Sequence, residues 1–109
     1  MNRTHVQALA TDLAELYANE HQRVLRVVAR TLRIEDRAAY AEDLAQDVWL
    51  MAWQFLLRGN QITSPGLLSV MARRRVYAHY RSARIRRESA VDPQNVALNR
   101  LVAVIEAVT

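Results

Sequence analysis

The sequence predicts an all-α chain folded as a compact helical bundle of about four to five helices. Three observations carry that prediction. Only two Gly and two Pro punctuate the 109 residues. Ala, Leu, Arg and Glu recur throughout, and apolar side chains repeat at intervals of three and four rather than two.

The first helix is expected from about Thr4 to Arg33, with Val6, Leu9, Leu13, Leu16, Tyr17, Val24, Leu25 and Val28 along one stripe. Its weak point is Thr11 and Asp12, where Asp12 and Glu15 have the spacing of a local cap that would restart an interrupted helix. A polar turn from Arg33 to Arg37 leads into a second helix, about Arg37 to Arg58, with Leu44, Val48, Met51, Ala52 and Phe55 facing inward. Gly59 and Asn60 stop it, because glycine tolerates the left-handed backbone that closes a helix end.

Residues 59–64 form the one true loop. Ser64 then caps a third helix, about Pro65 to Arg87, with proline at the first helical position, where a missing amide hydrogen costs nothing. Leu67, Leu68, Met71, Ala72 and Val76 give this helix its buried face near the start, and its cationic second half is expected to project from the core. Asp92 and Pro93 repeat the capping signal and open a last helix to about Val108, with Leu98, Leu101, Val102, Ile105 and Val108 at helical spacing.

Composition excludes several classes of function. There is no cysteine, so no disulfide framework or thiolate metal site. His5, His21 and His79 are too dispersed for a finger or a zincin. Glu42, Asp43 and Asp47 have no histidine three or four residues on, so they lack a second class of metal ligand. Nothing resembles a glycine-rich phosphate loop or a nucleophile elbow. The chain is read as a non-enzyme without cofactor, metal or catalytic residues. With no leader peptide and no apolar run long enough to span a bilayer, the expectation is a cytoplasmic protein that does not engage a membrane.

Charge is distributed unevenly. Arg73, Arg74, Arg75, Arg81, Arg84, Arg86 and Arg87 put seven positive charges into fifteen residues without an acid, which leaves the rest of the chain at −3 against a total of +4. Just upstream, Glu35, Asp36, Glu42, Asp43 and Asp47 fall within thirteen residues. Two unlike faces suggest two unlike partners, one polyanionic and one basic. On the third helix, positions 74, 77, 81 and 84 form a ridge on which Tyr77 sits among guanidinium groups, a combination suited to phosphates, guanine edges and base stacking. Charge alone favours a solvated helix end as strongly. His79 and Tyr80 read as packing or surface residues. On the second helix, Asp43, Gln46, Asp47, Leu50 and Trp53 share a surface that mixes acids with aromatic and apolar groups, as protein-binding helices do. At least one of Trp49 and Trp53 is expected in the core.

The run Ala41-Glu42-Asp43-Leu44-Ala45-Gln46-Asp47-Val48-Trp49-Leu50-Met51-Ala52-Trp53 closely resembles the A-E-D-L-V-Q-E-V-F-L-R-A-W signature of bacterial extracytoplasmic-function sigma factors. Upstream, Leu16-Tyr17 through Leu32 is similar to that family's opening helix. Downstream, Leu67-Leu68-Ser69-Val70-Met71-Ala72-Arg73-Arg74-Arg75 resembles the W-L-x-x-I-A-R-N-R start of its promoter helix. The resemblance covers about residues 13–90 and implies a sigma-2 domain at 1–90, with 91–109 as a linker-like C-terminal helix.

By this resemblance, Asp43, Leu44, Gln46 and Asp47, with Leu50 and Trp53 on the same helix, would contact the beta-prime clamp of core RNA polymerase. The loop Asn60, Gln61, Ile62, Thr63 and Ser64 would hold a flipped base of the single-stranded minus-ten promoter element. Arg73, Arg74, Tyr77, Arg81 and Arg84 would run along promoter DNA. The chain departs from the pattern at Leu67, Arg74 and Ala78, where the family has tryptophan, asparagine and an acid, so the family's base preference is not carried over. It also contains no counterpart of the second, helix-turn-helix (sigma-4) domain. Those departures motivate an alternative, a sigma-like adaptor or decoy that binds an anti-sigma factor or polymerase without opening promoters. A third reading is non-specific DNA binding driven by the arginines.

Overall fold

Arg33 adopts an extended backbone (φ −59°, ψ 148°), and this breaks the chain between its first two long helices. The computed structural model describes residues 3–88 and 104–105. They contain α1 (Arg3–Thr31), a 3-10 turn (Ile34–Asp36), α2 (Arg37–Leu57) and α3 (Pro65–Glu88). The described residues are all-helical and hold three long α-helices, where four to five were expected of the whole chain. The anticipated last helix, 93–108, lies outside the described residues except at Val104 and Ile105, which are helical.

α1 does not break at Thr11. The Thr11 hydroxyl donates to the Gln7 carbonyl one turn back at 3.0 Å, so the residue is absorbed into the helix and Asp12 and Glu15 cap nothing. The other anticipated signals act as local chemistry requires. Gly59 takes φ +92° and closes α2 through two bonds, its own N–H to the Leu56 carbonyl at 3.0 Å and the Asn60 N–H to the Phe55 carbonyl at 3.3 Å. The Ser64 hydroxyl accepts the Gly66 N–H at 3.2 Å at the start of α3.

The three helices pack pairwise around one core. Val24 and Val28 of α1, Val48 of α2, and Leu68 and Val76 of α3 are fully enclosed, each worth about 1.5–3 kcal/mol of apolar burial. Ala45, Ala52, Ala72 and Ala78 are equally inaccessible. Their small side chains let the backbones approach closely. Val6, Leu9, Leu13 and Leu16 are only half-buried, so the N-terminal half of α1 rests on the edge of the core.

The second half of α3 does not leave the core as expected. Ala78 is fully buried and Ser82 is 4 % exposed, so one face of α3 stays packed to the level of Ser82 while the arginines occupy the other. Tyr80 ties this half to the α1–α2 connection. Its hydroxyl accepts the Arg33 N–H at 2.8 Å and donates to the Asp36 carboxylate at 2.7 Å, while the Arg33 guanidinium lies 4.7 Å from the ring centre. Arg37 adds a bond from Nε to the Ala29 carbonyl at 2.6 Å.

Candidate functional site

An α-helix turns about 100° per residue, so positions 73, 74, 77, 81 and 84 fall within a band about 100° wide. All five side chains, Arg73, Arg74, Tyr77, Arg81 and Arg84, are exposed, and Tyr77 keeps 58 % of its surface. Four guanidinium groups and a phenol ring thus present one face of α3 to solvent. The arrangement offers phosphate contacts along a helix with an aromatic surface for stacking.

Arg75 belongs to the opposite side. Its side chain is 12 % exposed and reaches α2, where Nε and Nη2 stand 3.0 and 2.9 Å from Asp47 Oδ2. Of the six residues proposed to meet a protein partner, Asp47 is therefore committed to an internal ion pair, and Leu44, 3 % exposed, is part of the core. The helical rotation explains both. Asp47 stands about 40° from Asp43 toward the inner stripe, and Leu44 about 100°. Asp43, Gln46 and Leu50 are exposed, Leu50 to 61 %, and Trp53 is half-buried.

Gln46, Leu50 and Trp53 come together with Trp49 of α2 and with Ala10 and Leu13 of α1 around a groove of about 410 Å³. Trp49 is 5 % exposed and forms its floor. An aromatic cluster fixes that indole: its Nε1–H donates to His21 Nδ1 at 3.1 Å, and Tyr17 stacks on His21 with ring centres 4.4 Å apart. The groove is a surface that α2 alone could not make. Its α1 half was not legible from the acidic helix.

Asn60, Gln61, Ile62 and Thr63 line a cavity of about 370 Å³ whose opposite wall is α1, with Leu9 and Leu16 as apolar surface and Asp12, Glu15 and Asn19 as polar rim. Ser64 does not join them, because its hydroxyl caps α3. The Asn60 side-chain amide donates to the Phe55 carbonyl at 3.2 Å, which commits its nitrogen to the helix end. Gln61 and Thr63 are exposed, and Ile62 packs against the core. Two carboxylates facing a loop cavity suit a ring that carries hydrogen-bond donors and disfavour a phosphate. Only the packing of α1 brings Asp12 and Glu15 to this cavity.

The Tyr80 phenol is held above its ordinary pKa of 10.0, first by burial and then by donation to Asp36, against the Arg33 N–H, which favours the phenolate. It is a structural phenol. Among the described residues, no group of three His, Asp or Glu side chains is placed to hold a metal ion. No helix among the described residues is long and apolar enough to cross a membrane. No family model, no curated protein and no solved structure matches the chain.

Proposed function

We propose that the chain is a sigma-2-type module of the extracytoplasmic-function class, binding core RNA polymerase at its beta-prime clamp and taking up the single-stranded minus-ten promoter element. The observation that carries the reading is the segregation on two adjacent helices: Arg73, Arg74, Tyr77, Arg81 and Arg84 exposed on α3, and Asp43, Gln46 and Leu50 exposed on α2. The loop cavity supports it. The cavity of about 370 Å³ bounded by Asn60 to Thr63 lies at the N-terminal end of α3, about 12 Å along the axis from Arg73 at 1.5 Å per residue. Backbone phosphates would follow the arginines while one base turned into the cavity. The module performs no chemistry, and it would work in the cytoplasm.

The test is a pull-down with core polymerase together with fluorescence anisotropy on minus-ten oligonucleotides. Asp43→Arg combined with Leu50→Arg changes only exposed positions and should abolish polymerase capture while DNA binding persists. Unchanged capture would remove the clamp assignment. Equal affinity for oligonucleotides of every sequence would reduce the α3 band to non-specific charge.

A second reading is favoured by the groove beside Trp49, whose apolar lining suits an amphipathic helix. In that reading the chain is an adaptor or decoy for polymerase or an anti-sigma factor. Permanganate reactivity of thymines in a duplex promoter separates the two, since only a promoter-opening module with polymerase exposes them.

A further inference from the structure

The floor of the groove between α1 and α2 hangs on one titratable acceptor. Trp49, 5 % exposed, donates its indole N–H to His21 Nδ1 at 3.1 Å. A ring nitrogen that accepts carries no proton, so this bond exists only while the imidazole is neutral, with its hydrogen on Nε2. Tyr17 stacks on the same imidazole, with ring centres 4.4 Å apart and 18° between the planes, and meets Trp49 edge-on at 5.1 Å. Histidine is the side chain whose charge ordinarily changes between about pH 5 and 8. The indole is therefore tied to a group that gains a proton under mild conditions.

Protonation sets donor against donor. Nδ1 then carries a hydrogen aimed at the indole N–H, and a bond between two donors is lost. The imidazolium keeps its place, because the Tyr17 ring face attracts a cation. The indole is the partner that moves, since a nearly buried N–H without an acceptor is costly. The space beside it is the groove of about 410 Å³, bounded by Leu13, Gln46, Leu50 and Trp53. Charged groups lie around the imidazole on both helices. On α1, Glu20 precedes His21 and is paired with Arg23 at 3.8 Å, and Arg26 lies further along. On α2, Glu42 shares the stripe of Gln46 and Trp49. α3 enters on another flank of α1, where Leu16, about 140° from His21 by helical rotation, meets the loop that leads into it. Glu20 and Glu42 favour the cation and Arg23 and Arg26 oppose it, whereas the bond to Trp49 exists in one protonation state alone.

We propose that His21 is a proton-operated latch on this groove. Neutral, it holds Trp49 as the floor; protonated, it releases the indole into the groove and closes it to an apolar side chain. The second reading above gives the groove to a partner helix, whereas the latch rests on the geometry of Trp49, His21 and Tyr17 and is tested without a partner.

The full chain, labelled with ¹⁵N and with ¹³C in its leucine methyl groups, is titrated from pH 8 to pH 5 by NMR, with circular dichroism following its helicity. In the parent chain the Trp49 Nε1–H resonance should move upfield in a single transition, and the Leu13 and Leu50 methyls should move with it. Exchange of the Trp49 indole hydrogen should accelerate about fivefold relative to that of Trp53, the worth of one hydrogen bond. His21→Gln supplies an amide oxygen that accepts and does not titrate, so these signals should stay flat while His5 and His79 still titrate. His21→Ala should show at pH 8 the Trp49 signal that the parent shows at pH 5. No transition in the folded parent chain, an equal transition in His21→Gln, or a parent-like Trp49 N–H in His21→Ala at pH 8 would each overturn the latch. A Trp49 transition that leaves both leucine methyls unmoved would overturn the closing of the groove.

Discussion

Arg75 grips Asp47 with two nitrogens on a single carboxylate oxygen, Nε at 3.0 Å and Nη2 at 2.9 Å, and so fastens α3 to α2. The pair is unequal: the arginine side chain is 12 % exposed and the aspartate 39 %. Removing the aspartate strands a mostly buried cation, whereas removing the arginine leaves an anion that water can reach. Asp47→Ala should cost about 2 kcal/mol and Arg75→Met about 1 kcal/mol or less in urea unfolding. The reverse order would show that the guanidinium finds water once released.

The Tyr80 hydroxyl joins Arg33 and Asp36 across more than forty residues of sequence. Tyr80→Phe keeps the ring and loses both bonds, for an expected cost of about 1–2 kcal/mol. The phenol's pKa is raised in the folded state. Its stabilising contribution is therefore complete below the ordinary value of 10.0 and is lost as pH rises through the folded value, since the unfolded chain gives up its proton first. Stability measured from pH 9 to 11 should fall less steeply in Tyr80→Phe than in the parent chain.

The two glycines should respond in opposite ways to alanine. Gly59 has open space around it but a φ of +92°, so Gly59→Ala is penalised by the backbone alone, by about 1 kcal/mol. Gly66 is helical, and an added Cβ would meet only Ser64 Oγ at 3.4 Å. Gly66→Ala should stabilise the chain by about 0.5 kcal/mol through the reduced freedom of its unfolded state. Thermal melts of both variants check the pair.

Salt dependence should separate the arginines of α3 by direction. Arg74→Ala, Arg81→Ala and Arg84→Ala should each lower the slope of log K against log salt on single-stranded DNA by about 0.7, the contribution of one phosphate contact. Arg86→Ala, on the other side of the helix, should leave the slope unchanged. Identical slopes for all four variants would mean that position on α3 does not govern DNA contact.

Local signals in the sequence were read well because their physics is local. Gly59 must sit where the backbone turns left-handed, and Ser64-Pro65 must open a helix, whatever lies nearby. The helical period also anticipated Leu44, Val48, Met51 and Ala52 in the core. Long-range placement was a different matter. Arg73, Arg74 and Arg75 are identical in kind, and only the packing of α2 turns the third into an internal clamp. Asp12 and Glu15 looked like a cap because the sequence could not show that Thr11 bonds backward into an unbroken helix. Leu44 carried two expectations, core and partner contact, and burial keeps the first. The Tyr80 network joins residues separated by 44 and 47 positions, beyond the reach of any spacing rule.

The segment Asn60 to Thr63 is held at both ends, by the closing bonds of α2 on one side and the Ser64 cap on the other. Its span is thereby fixed without the side chains of Gln61 and Thr63. Ile62 anchors the middle, while Gln61 and Thr63 are exposed and their side chains take no part in the closing bonds of α2 or the Ser64 cap. Those two positions are a replaceable cassette: diversity can be introduced there without renegotiating the fold. A library randomised at Gln61 and Thr63 should retain folded members at high frequency and differ mainly in what the adjoining cavity accepts.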